Sequence, residues 1–287
     1  MGVRNLLPWW IKIAIKMIFS RLPISYNVWK KIGLFKHGNM DQAQYAITVF
    51  ENHVTRSLKS LDLANKVILE LGPGDTISSA IISKAYGGRA ILIDAADYTT
   101  KNLDEYHLLF ETLCAKGFTP PDVKRVSSLK QLLNICEASY LTKGISSMRA
   151  VESGSVDLIY SQAVLEHVRK NEFFDIMLEC RRIIRDNGII SHRIDLKDHL
   201  EGGLNNLRFS EKVWESNFFV KSGFYTNRIR YSAMVGLMER AGFEVEILGV
   251  NKWSDLPIKR PKIHEDFSNL SNSELLVSGF DVLLRPI

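Results

Sequence analysis

The chain has 287 residues, 46% of them apolar and 24% charged, which supports one large α/β domain or two small ones and excludes global disorder. A net charge of +5 is too mild to name an anionic partner. No basic run carries interleaved aromatics, so nucleic acid is not an expected partner. Cys114, Cys136 and Cys180 are odd in number and widely spaced, with no CxxC. They point to a reducing, cytoplasmic compartment and to packing roles.

In chain order, the first segment stands apart. "MGVRNLLPWWIKIAIKMIFSRLP" is apolar and cationic with no acid, and Lys12 and Lys16 break it too often for a spanning helix. On a helical wheel Lys12, Lys16 and Ser20 share a narrow stripe beside a broad Trp/Ile face. Two readings stand. Residues 6–19 form a helix lying in the inner membrane interface, or they pack on the domain as a lid. Residues 1–66 are read as an N-terminal helical region and 67–287 as the main domain.

Val67–Leu71 is a short buried strand, and Ile77–Tyr86 a helix introduced by Asp75 and Thr76. Ala90–Asp94 is a second strand, and Leu103–Lys116 a helix ended by Pro120-Pro121. Ser128–Ala138 is helical and Tyr140–Thr142 a weak strand. Val156–Ser161 is a strand, followed by helices over Ala163–His167 and Glu172–Arg185 and a strand over Gly188–Ile194. Ser232–Ala241 is a helix, with strands at Phe243–Gly249 and Leu275–Leu284. Strands alternating with helices predict a doubly wound, mainly parallel sheet. Residues 197–230 and 251–273 lack a regular pattern, and long loops of that kind are usually functional.

In such sheets ligands lie beyond the C-terminal strand ends, near the point where strand order reverses. The first strand ends in "ELGPGD". Gly72 and Gly74 let the backbone approach a ligand that a Cβ would push away. Asp94 ends the second strand twenty residues on, the usual place for a carboxylate gripping ribose hydroxyls. The third glycine of a dinucleotide turn is replaced by Ile77, and Glu70 repels pyrophosphate while favouring a cationic end.

The blocks "LELGPGD", "LID", and "SVDLIYSQAVLEHV" with "RRIIRDNGII" resemble the class I S-adenosylmethionine (SAM)-dependent methyltransferases near their type 11 group, from Val67 to the C-terminus. The resemblance implies a Rossmann-like, seven-stranded sheet whose last strand is antiparallel, with SAM as cofactor. It also implies that Glu70, Gly72 and Gly74 line the methionine and ribose side and that Asp94 holds the ribose. By the same resemblance, Ser161 and Gln162 are expected to border the methyl group. The acid that usually follows strand three to hold adenine is missing, and Ser147 or a backbone carbonyl takes its place.

The stretch Ser191–Arg230 looks like one carried by bacterial methyltransferases associated with surface glycans. It leaves the C-terminal end of strand five. A hydroxyl acceptor needs a base, and His192 is the first candidate, with Asp195 orienting or replacing it and His167 as a further candidate. His192, Asp195, Asp198 and His199 show no recognised metal-ligand spacing, so no metal is expected. The expected partner is a glycan or small-molecule acceptor. An NAD-type oxidoreductase or epimerase, and a SAM-binding regulator without chemistry, stay as alternatives.

Overall fold

A computed structural model describes Ile11 and residues 40–287. The amphipathic segment 6–19 therefore lies, apart from Ile11, outside the described residues. Among the described residues, no helix is long and apolar enough to cross a membrane.

Helix α1 (Ala43–Leu58) leads into β1 (Val67–Leu71), α2 (Ser78–Ala85), β2 (Arg89–Ile93), α3 (His107–Ala115), α4 (Leu129–Ile135) and β3 (Ser139–Leu141). Then come α5 (Ile145–Arg149), β4 (Val156–Gln162), α6 (Phe173–Ile183) and β5 (Ile184–Asp195). Two single-turn helices, α7 (Glu211–Trp214) and α8 (Asn217–Val220), precede α9 (Tyr231–Arg240), β6 (Phe243–Lys252), α10 (Asn272–Leu275) and β7 (Val277–Pro286). The strands form one sheet in the order β3-β2-β1-β4-β5-β7-β6, with β7 antiparallel to both neighbours. This is the expected seven-stranded class I methyltransferase topology.

The strands are apolar because the sheet is covered twice. Ile68, Leu92, Leu158 and Tyr160 pack with α1, α2 and α3 on one face. Leu69, Leu71, Ile159, Ile190 and Ile194 pack with α6 and α9 on the other. At the N-terminal edge Asp157 accepts the Val67 N–H (2.9 Å) and pairs with Arg185 (2.6 Å) and Lys66 (3.3 Å). Burial acts to raise its pKa, but the Val67 N–H and the two cations together hold it below the ordinary carboxylate value. Strand order reverses between β1 and β4, so their C-terminal ends open the crevice.

Several sequence expectations need correction. Ala163–His167 is a turn, not a helix, and starts from a left-handed Ala163 (φ +54°). Nothing in an alanine announces that backbone. The first turn of the Leu103–Lys116 helix is 3-10, and Ile145–Arg149, to which the sequence assigns no element, is helical. Strand β5 starts at Ile184, with an irregularity opposite β4 that absorbs Asp186, Asn187 and Gly188.

The patternless 197–230 stretch is ordered by buried polar groups. Asp198 accepts the N–H groups of Leu200, Glu201, Gly202, Gly203 and Asn205 and so closes its own loop. Trp214 sits among Phe209, Phe219, Phe224 and Tyr225, and its indole N–H donates to Thr226 O at 2.7 Å. Arg228 lies over Trp214 and Phe267 and donates to Asn206 O and Phe209 O. Arg230 donates to the carbonyls of Leu196, Glu274 and Val277.

Candidate active site

The turn after β1 is built by close approach. Gly72 (φ +69°) donates its N–H to Ile93 O at 2.8 Å, and a Cβ at Gly72 would stand 2.6 Å from a Val164 methyl. Any larger residue collides with the turn that follows β4 and is strained at that φ. Gly74 (φ +68°) donates its N–H to Asp94 Oδ2 at 2.9 Å, while Oδ1 accepts the Ala95 N–H at 2.7 Å. The half-buried Asp94 carboxylate is thereby fixed beside the glycine turn.

Glu70 behaves differently. Its side chain is 2% exposed and accepts the Ser79 hydroxyl on the α2 side of the sheet. Burial raises its pKa to about 7, against the lowering pull of the Ser79 bond. Ser147 is buried in α5, where its Oγ accepts the Lys143 N–H at 2.9 Å, and Gly144 N–H donates to Asp94 O. The turn before α5 is thus tied to the end of β2.

At the ends of β4 and β5, Ser161 and His192 are paired across the sheet and both are fully buried. Ser161 Oγ meets His192 Nδ1 at 2.7 Å, and His192 Nε2 has no partner. Burial, then the nearby His53 and Arg56, lowers the His192 pKa to about 3. The imidazole is neutral and enclosed, so it is not exposed to an acceptor.

Gln162 is held from the other face. Arg56, anchored by Asp281 at 2.8 Å, donates Nη2–H to His53 Nδ1 at 2.8 Å. That leaves the His53 proton on Nε2, which donates to Gln162 Oε1 at 3.0 Å. Ser191 joins this chain, accepting Arg56 Nε–H at 2.6 Å. Burial and Arg56 lower the His53 pKa to about 3, which keeps the ring neutral. Sequence reasoning missed His53 and Arg56. Their only signal is a polar pair three residues apart on an amphipathic helix.

Glu166 and His167 stand on the tight turn after β4, and His199 comes from the insert. One donor atom from each lies within 4.8 Å of the others. His167 Nδ1 meets Tyr225 O at 3.0 Å, and the two imidazoles lie 4.6 Å apart with their planes tilted by 44°. The half-buried Asp195 is near enough to act electrostatically on Glu166, and it also pairs with Lys197 at 3.3 Å. Of the predicted catalytic residues, Asp195 and His167 therefore belong to this group and His192 does not. Asp198, with both oxygens bonded to its own loop, is structural.

Residues 69–191 match the family model described as a methyltransferase domain. No curated protein matches the chain. Among solved structures, a SAM-dependent methyltransferase from Archaeoglobus fulgidus is 11% identical over 85% of this chain and 93% of its own, with a TM-score of 0.43. A Pyrococcus horikoshii protein is 11% identical over 92% and 100%, at 0.46. A Haemonchus contortus phosphoethanolamine N-methyltransferase, solved with phosphomonomethylethanolamine and S-adenosylhomocysteine, is 12% identical over 84% of this chain, at 0.44. This chain spans about half of that protein, 53% of its length. The matched residues run from β1 into β5, across the point where strand order reverses.

Proposed function

We propose that the protein transfers the methyl group of SAM to a hydroxyl of a glycan or small molecule. The observation that carries this reading is the glycine turn fastened to Asp94 at the switch point of a methyltransferase-domain fold. The residues fit the cofactor. A ribose diol finds the fixed Asp94 carboxylate, and the close Gly72–Val164 contact leaves a smooth backbone wall beside it. Ile77, fully buried at the start of α2, occupies the position where a dinucleotide turn needs glycine, which disfavours the NAD alternative.

SAM supplies a methyl carbon on a sulfonium, and the C–S electron pair stays on sulfur as the acceptor oxygen attacks. The chain's work is alignment and proton removal. Gln162, held through its carbonyl, keeps its amide NH2 available at the end of β4. Asp195 is the group we assign to take the acceptor proton.

Calorimetry and a turnover assay test both halves. Asp94→Ala is expected to weaken SAM and S-adenosylhomocysteine binding by about 30-fold, equivalent to about 2 kcal/mol of charge-assisted hydrogen bonding. Asp195→Asn is expected to lower turnover by roughly tenfold to a hundredfold with SAM affinity intact. Tight NAD binding with no SAM binding would sink the cofactor reading. Normal turnover in Asp195→Asn would remove the base.

We also propose that residues 6–19 rest on the inner face of a membrane, supported by the Lys12/Lys16 stripe beside the Trp/Ile face. Removing residues 1–20 is then expected to abolish sedimentation with anionic liposomes. Unchanged sedimentation would count against it.

A further inference from the structure

We propose that Glu166, His167 and His199 form a binding site for a divalent transition-metal ion on the acceptor side of the domain. Three observations converge on it. Their donor atoms lie within 4.8 Å of one another, although His199 is 32 residues beyond His167. Around a tetrahedral ion bound at 2.0–2.2 Å, ligand atoms stand about 3.4 Å apart, so small rotations of the two exposed imidazoles close the set.

The second observation is the Glu166 carboxyl. It is 1% exposed, and neither oxygen makes a hydrogen bond of ordinary geometry, although the backbone N–H groups of Glu166 and Asp195 approach it. A carboxyl is costly to bury without a donor or a cation, and a donor atom of each imidazole lies within 4.8 Å of it. The third is tautomer control. Tyr225 O only accepts, so His167 Nδ1 must donate to it, and the ring's lone pair is on Nε2. Fixing a ligand histidine through its other nitrogen is the usual outer support of a metal site.

The loop that carries His199 is also pre-shaped. Asp198, next to it, binds five backbone N–H groups of its own loop, which holds the chain on either side of the imidazole. Two histidines and one carboxylate leave coordination positions open, and this donor set suits zinc, cobalt or iron better than magnesium or calcium. Asp195 adds negative charge near the carboxylate without being needed as a ligand. If the methyl-transfer reading holds, which this role rests on, the open position faces the acceptor side and would take the acceptor hydroxyl.

The test uses untagged full-length protein and Zn2+ by calorimetry, with Co2+ as a visible-absorption probe. One equivalent of each metal is expected to bind, and Co2+ is expected to give the intense visible bands of a low-coordinate site. His167→Ala and His199→Ala, both at exposed positions, are each expected to weaken Zn2+ binding at least tenfold. Circular dichroism is expected to show both variants folded. Glu166→Gln is expected to do the same. No saturable binding by the wild type, or unchanged affinity in both folded histidine variants, would overturn the proposal. SAM titrations on the same samples separate the two readings. Metal binding without SAM binding would fail the methyltransferase function alone, and SAM binding without metal binding would fail the site alone.

Discussion

Arg230→Met is expected to lower the unfolding free energy by roughly 3–5 kcal/mol. Arg230 is 4% exposed and spends its guanidinium on the carbonyls of Leu196, Glu274 and Val277. Those carbonyls end β5, close α10 and start β7, so one side chain joins the insert to both strands. Burial lowers its pKa to about 10, yet it remains a cation at neutral pH. Methionine keeps the length but leaves the carbonyls without donors, and each orphaned acceptor costs about 1–3 kcal/mol. Urea denaturation measures the loss. Arg285→Met, which breaks only an exposed pair with Glu246, should cost under about 1 kcal/mol in the same assay. Equal losses in the two variants would mean that Arg230 is not the clamp described.

Glu70→Gln is expected to stabilise the protein at pH 8 and to leave it unchanged near pH 4. The folded carboxyl titrates at about 7 and the unfolded one near 4.5. Below 4.5 both states hold the proton. Between 4.5 and 7 the unfolded chain loses its proton first, so native stability falls as pH rises. Above 7 the deficit is constant at about 3 kcal/mol, from 1.36 kcal/mol per pK unit. Glutamine still accepts the Ser79 hydroxyl, so the packing at α2 is preserved. The observable is the difference between variant and wild-type stability across this range. Parallel curves would show that Glu70 has no raised pKa.

How legible was this in the sequence? The strands were, because a sheet covered on both faces needs unbroken apolar runs, and "VILEL" and "VDLIYS" supply them. The glycine turn and Asp94 were legible because a positive φ and a spacing leave marks in residue type. His192 was not. Alternation fixes which face of β5 a side chain takes, but not whether that face is covered, and here it is. The His53–Gln162 bond was equally hidden, since it joins residues 109 apart. The order within 197–230 depends on which carbonyls and rings Arg228, Arg230 and Trp214 reach, and no local periodicity encodes that. Glu166 beside His167 stood in plain sight in "LEHV", but their closeness to His199 exists only after the insert folds back.

The place of β7 has a consequence for synthesis. Strand β7 pairs with β5 on one side and β6 on the other, although it follows both in the chain. As the polypeptide emerges, β3, β2, β1, β4 and β5 can assemble while residues 190–195 of β5 have no neighbour on their outer side. Those backbone groups wait for residues 279–284 to be made. An open strand edge is a template for any passing chain. The nascent protein therefore carries an unpaired strand edge through Ser191, His192 and Asp195 until β7 is made. The edge disappears on completion, leaving only the three-residue β3 and the solvent-facing β6 as rims of the finished sheet.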